Sequence, residues 1–235
     1  MRVTIEHSDS YATARVDLAP GESVKAEAGA MLAMKGDIDM QTSSGGIMRG
    51  LKRAVMGGES FFQNTYTARS AGTVWFAPPM PGDVRHIPLA GVPLIVQDGS
   101  YLASHPSVIV DTAWQGARGF FSGEGFVMLR VSGEGDLILS SYGAIEQHHL
   151  GVGERLVVDT GHLVAFTEGM HHDLRRVSRG LKSLVFSGEG VVSEFTGPGL
   201  VYTQSRSTQS FMQWLARRLP GGGGSGGGVS GLFGG

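Results

Sequence analysis

A two-part pattern occurs three times along this chain, and no other feature limits the fold as much. The first part is a strand-like run around one glycine: 24–34 (VKAEAGAMLAM), 94–104 (LIVQDGSYLAS) and 156–166 (LVVDTGHLVAF). The second is a Gly-Glu turn between apolar runs: 56–62 (MGGESFF), 121–127 (FSGEGFV) and 186–192 (FSGEGVV). Gly29, Gly99 and Gly161 lie 70 and 62 residues apart, and Glu59, Glu124 and Glu189 lie 65 and 65 apart. A period near ~65 residues, returning in both parts, marks a triplicated architecture. A lobe of that size buries only about 60% of its unfolded surface and is marginal alone. The sequence therefore divides into a triplicated β domain over 1–206, with lobes of approximately 1–80, 81–145 and 146–206. A helix over 207–219 and a Gly-rich tail over 220–235 follow.

Short strands account for most of the repeat. Residues 3–5, 73–77, 94–96, 108–110, 126–131, 137–140, 156–158, 163–166 and 200–203 are rich in β-branched and apolar residues, with Gly, Pro, Asp or Ser close by. Turns at intervals of about 8–12 residues indicate an all-β sandwich or barrel. Asp98-Gly99 and Gly133-Glu134-Gly135 read as turns, because glycine reaches positive φ without steric cost. An alanine stands four residues after each repeat glycine, at Ala33, Ala103 and Ala165, which suggests close approach of packed elements.

Helix is scarce. Residues 46–57 (GIMRGLKRAVMG) have room for a turn or two, weakened by Gly50. The better helix is 207–219 (STQSFMQWLARRL), which Ser207 or Thr208 can cap. Phe211, Leu215 and Leu219 recur at i, i+4 and i+8 with Trp214 beside them, an apolar stripe. Arg217 and Arg218 follow in the last turn, where cations suit the helix dipole, and Pro220 stops it. Ten of the last fifteen residues are glycine; this tail buries too little to offset its ordering entropy and is expected to be disordered in isolation.

The bulk numbers remove several classes of partner. A net charge of −2 argues against a broad footprint for nucleic acid. Zero cysteines exclude disulfides, thiolate metal sites and a cysteine nucleophile. The N-terminus shows no apolar leader, and no run approaches the ~18 apolar residues of a membrane span. A cytoplasmic location is the expectation.

Taken together, GGESFFQNTYTA (57–68), GTVWFAPPMPGDVRHIPL (72–89), SGEGFVMLRVSGEGDLILSSYGAI (122–145), VVDTGHLVAF (157–166) and SGEGVVSEFTGPGLVYTQSRS (187–207) resemble the altered-inheritance-of-mitochondria family. The Gly-rich tail after a short helix is similar to that of its bacterial members. The resemblance implies a fold like the trp RNA-binding attenuation protein, triplicated within one chain as short antiparallel β-sandwich lobes with pseudo-threefold symmetry. It also implies a bacterial, cytoplasmic protein of unsettled biochemical role, since most eukaryotic members carry a targeting extension before the β region; the mitochondrial member is associated with inner-membrane organisation.

Each candidate chemistry has a plainer rival. Glu59, Glu124 and Glu189 could form an acidic ring around a symmetry axis, but Lys52, Arg118 and Lys182 precede them by 7, 6 and 7 residues, so the preferred reading has each glutamate closing its own turn or pairing with a basic residue. His148-His149, His171-His172, His162 and Asp173 contain ligand types for zinc or iron. Adjacent strand residues face opposite ways, and no HExxH occurs, so surface histidines are preferred. No GxSxG elbow and no GxxxxGK[ST] loop is present. Basic residues cluster at Arg49, Lys52 and Arg53 and at Arg175, Arg176, Arg179 and Lys182, yet the fold likeness alone does not carry RNA binding.

The sequence thus reads as a non-enzymatic scaffold or interaction protein without cofactor, with a membrane surface as one place of action and homo-oligomers as one form. No nucleic acid is expected. A small-ligand or metal-binding β-barrel is the second reading, and RNA binding a third. The residues expected to meet an unknown protein partner or a membrane are Phe211, Trp214, Leu215, Leu232 and Phe233, although covering the body is the preferred role of the helical stripe.

Overall fold

The structure, a computed structural model, describes residues 1–8, 10–43, 62–111, 127–176 and 191–219. The helix expected at 46–57, the three Gly-Glu turns and the glycine tail lie outside the described residues.

Nineteen strands and one α-helix occur among the described residues. The first lobe holds β1 (Arg2–Glu6), β2 (Thr13–Leu18), β3 (Ser23–Glu27), β4 (Met31–Lys35), β5 (Ile38–Ser43), β6 (Gln63–Ala68) and β7 (Gly72–Phe76). The second holds β8 (Val84–Ala90), β9 (Leu94–Gln97), β10 (Tyr101–Ser104), β11 (Ile109–Asp111), β12 (Met128–Ser132) and β13 (Glu134–Ser140). The third holds β14 (Ile145–Leu150), β15 (Arg155–Asp159), β16 (Leu163–Thr167), β17 (His171–Arg176), β18 (Val191–Thr196) and β19 (Gly199–Gln204). Helix α1 (Thr208–Ala216) closes the described chain.

Every lobe follows one connectivity, and the sheets are not confined to single lobes. The strand orders are β1-β2-β7-β4, β5-β6-β3-β10-β13-β8, β11-β12-β9-β16-β19-β14 and β15-β18-β17. All of the pairings between named strands are antiparallel. Each six-stranded sheet takes three strands from one lobe and three from the next. The junction is β3 against β10 in one sheet, with Ala103 opposite Ala26, and β9 against β16 in the other, with Ala165 opposite Val96.

Alternation places the cores. In β2, Ala14, Val16 and Leu18 are buried and the intervening residues half-buried, the period-two pattern of a sheet with one face inward. These side chains pack with Val24 and Ala26 of β3, Tyr66 of β6 and Phe76 of β7, joined by Leu102 and Ile138 from the second lobe. A second core gathers Val96, Tyr101, Leu129, Leu137, Leu139 and Val164, and a third gathers Ile95, Val158, Phe166, Phe195 and Val201. Strands β10 and β16 are buried almost throughout because their side chains divide between two cores, Tyr101 in the second and Leu102 and Ala103 in the first, Val164 and Ala165 in the second and Leu163 and Phe166 in the third. Such a strand reads as a continuous apolar run rather than an alternating one. Side chains also cross the first junction: Lys25 Nζ donates to the Val108 carbonyl at 2.7 Å, and burial lowers the lysine's pKa. At the second junction Arg130 holds Glu168 in a forked ion pair of 2.7 and 3.0 Å.

The repeat glycines mark where the chain leaves one sheet for another, since the strands on either side of each never pair with one another. Gly29 does so at φ +91, a left-handed conformation that favours glycine. The other two, Gly99 and Gly161, sit in single 3-10 turns, Asp98–Ser100 and Thr160–His162, with ordinary backbone; for Gly99 this differs from the expectation of positive φ. There the aspartate side chain makes the turn, Asp98 Oδ1 accepting from Gly99 N and Asp159 Oδ1 from Gly161 N. The expected turn at 133–135 is narrower than its sequence suggests. Gly133 and Gly135 both have positive φ, +102 and +130, as expected, but Glu134 and Gly135 already belong to β13.

Candidate functional site

The links between lobes run beside one another and form a seam. Ala12 N donates to Gly82 O, Asp83 N to Gly143 O, Gly143 N to Pro81 O, Ser205 N to Ala144 O and Arg206 N to Tyr142 O. Gly82 and Gly143 form an isolated parallel bridge. A methyl group on Gly82 would strike the Ser141 carbonyl oxygen, so glycine is required by close approach. Helix α1 starts from this seam. Ser207 is buried, and its hydroxyl accepts from Ser210 N at 3.3 Å, capping the first turn.

Beyond its cap the helix is covered only in part. None of its nine residues is buried. Phe211 meets Tyr142 edge-on at 6.1 Å between ring centres and remains 36% exposed. Trp214 stacks on Phe211 at 6.1 Å and is 50% exposed. Leu215 is half-buried, and Met212 and Leu219 are exposed. Arg217 and Arg218 fall just past the helix's last residue rather than in its last turn. Arg218 turns back, its guanidinium 4.2 Å from the centre of the Trp214 ring and donating to the Trp214 carbonyl at 3.3 Å. Phe211, Trp214 and Leu215 therefore share one short helix, while Leu232 and Phe233 lie outside the described residues. The expected covering of the body by the whole stripe is met chiefly at Phe211.

A cleft opens beside the helix start, lined in part by Pro79, Gln97, Ser140, Tyr142, Gln204 and Thr208, with a volume of about 60 Å³. That is well below the several hundred Å³ usual for a drug-sized ligand. The histidines are separated by the strands that carry them. His148 reaches Thr203 at 2.9 Å, His149 reaches Gln147 at 2.6 Å, His162 reaches the Gln204 carbonyl at 2.7 Å, and His171 pairs with Asp173 at 3.3 Å. His172 packs with Phe166 and Phe195. Among the described residues no group of three or more His, Asp or Glu is placed to hold a metal ion. Arg175 and Arg176 end β17, whereas Arg49, Lys52, Arg53, Arg118, Arg179 and Lys182 lie outside the described residues, as do Glu59, Glu124 and Glu189. Among the described residues no helix is long and apolar enough to cross a membrane.

One surface was not legible in the sequence. Strand β4, MLAMK, is exposed at every position, although its counterparts β10 and β16 are the deepest strands of the fold. The signal lay in the repeat itself: among the described residues, three lobes joined by shared sheets leave β4 and β15 each at a sheet edge without a strand partner on the outer side.

A row of small antiparallel lobes with a terminal aromatic helix defines an all-β repeat protein. The family described as mitochondrial biogenesis AIM24 matches residues 3–206, and the chain belongs to that family. It is 30% identical over 230 residues, 94% of this chain and 92% of the relative, to uncharacterized protein M6_Spy0233 of Streptococcus pyogenes serotype M6. It is also similar to the crystal structure of protein SPYM3_0169 from Streptococcus pyogenes. That likeness has a TM-score of 0.75 and 28% identity, and covers 93% of this chain and 99% of that one.

Proposed function

We propose that this protein is a non-enzymatic scaffold whose contact element is helix α1, acting at a membrane surface. The observation that carries the reading is the exposed face of Phe211, Met212, Trp214 and Leu219 beside Arg217 and Arg218. Aromatic and aliphatic side chains next to arginines suit the boundary between lipid headgroups and acyl chains. The capped first turn, seated on the seam, holds this face on a rigid body. The repeat supports the same reading, because a motif present three times offers surface rather than one reactive point.

Flotation with vesicles containing anionic lipid tests it. The full chain is expected to float and the Trp214→Glu variant to remain below, with the variant's thermal midpoint unchanged. If both stay below, the membrane reading fails; if both float equally, the contact lies elsewhere than α1.

A further inference from the structure

We propose that β4 and β15 are the two halves of one intermolecular joint, and that the protein assembles head to tail, with β15 of one copy extending the sheet that ends at β4 of the next. Both edges end their sheets among the described residues. Their equivalents do not: β3 and β9, counterparts of β15, pair with β10 and β16, counterparts of β4. Joining the orders β17-β18-β15 and β4-β7-β2-β1 reproduces the order of both six-stranded sheets, with β1 as one extra strand.

Burial tells the same story position by position. Counted from the repeat glycine, Leu32, Leu102 and Val164 are equivalent. Leu102 and Val164 are 1% and 0% exposed, while Leu32 is 58% exposed. Val157 of β15 is 59% exposed, and its counterpart Ile95 is fully buried. An exposed edge that is apolar, free of proline and charged only at Lys35 is a template for another strand.

The internal junctions also give the register. Ala103 lies opposite Ala26, and Ala165, Phe166 and Thr167 lie opposite Val96, Ile95 and Leu94. Carried over, Ala33 meets Val158 of the next copy, Met34 meets Val157 and Lys35 meets Leu156. Because the two faces differ, the joint is heterologous, so each added copy leaves one of each face open until the rotation closes a ring. A closed arrangement within one chain would instead pair β15 with its own β4, and the strand orders among the described residues show no such pair.

The cysteine-free chain makes a clean test. Met34→Cys and Val157→Cys sit at exposed positions predicted to face each other, within reach of a short bis-maleimide. Light scattering of the unmodified chain at ~100 µM is expected to show multimers. A mixture of the two single variants is expected to give one covalent heterodimer, each single variant alone to give none, and the double variant to give a ladder. The proposal falls if the unmodified chain is monomeric, if the double variant links only within one chain, if Met34→Cys alone yields dimers, or if the mixture yields none. Vesicle binding plays no part in these readouts, so the joint and the membrane reading fail separately.

Discussion

The amino group of Met1 donates to Glu22 Oε1 at 2.6 Å, and Ala19 N donates to Oε2 at 2.8 Å. The bond from the ammonium, first, and that from the backbone hold the Glu22 carboxyl below the usual carboxylate range. Its stabilising contribution is present above the unfolded carboxylate's value and is lost as pH falls through the lower folded value. With 39% of the side chain exposed, solvent screening limits this to about 1 kcal/mol or less. Glu22→Gln is therefore expected to lower the urea midpoint slightly at pH 7 and to match the parent once the pH lies below the folded value. An equal deficit at both pH values would show that the carboxylate's charge is not the cause. Few such contacts were readable beforehand, since Met1 and Glu22 meet only after the chain has folded back. The alanines were readable in part. Ala33, Ala103 and Ala165 each follow a register shift in the strand that carries them, so the recurring small residue marks a repeated bulge; the close packing expected of all three is found at Ala103 and Ala165, which are buried, and not at the exposed Ala33.

At the scale of elements, the junction strands are held by polar bonds as well as apolar burial. Gln63 Nε2 of β6 donates to the Tyr101 hydroxyl of β10 at 2.8 Å, and that hydroxyl lies 2.8 Å from Ser104 Oγ. All three residues are buried, and burial raises the tyrosine's pKa. Removing the hydroxyl leaves buried groups on both sides without it. Tyr101→Phe should thus cost about 1–3 kcal/mol, measurable as a lowered denaturant midpoint with an unchanged slope; a neutral substitution would mean that water replaces the hydroxyl. The strands themselves were legible because β-branched runs between turn residues have few alternatives. Sheet membership was not. A lobe's own residues specify which strands it has, yet β3 pairs with a strand whose facing residues are 77 and 79 positions away, a partner that local pattern cannot name. The helix shows the converse. Its capping serine and stripe were plain in the sequence, while the share of the stripe that meets the body depends on Tyr142, a seam residue with no periodic signature.

At the scale of the whole molecule, the triplication was visible as spacing, and the structure turned it into an order of sheets. The family match spans residues 3–206, the whole stretch over which the repeat runs. The composite sheets carry a consequence for how the chain comes apart. The middle lobe lends three strands to each of two sheets and contributes side chains to more than one core. Melting it strips both neighbours of half a sheet, and melting either neighbour exposes a buried strand of the middle lobe. Three similar lobes on separate sheets would melt in three steps. Here calorimetry should record one endotherm, with calorimetric and van't Hoff enthalpies in agreement; resolved transitions would mean that the shared strands couple the lobes weakly. Although the sequence repeats at about 65 residues, the unit that folds is the entire row.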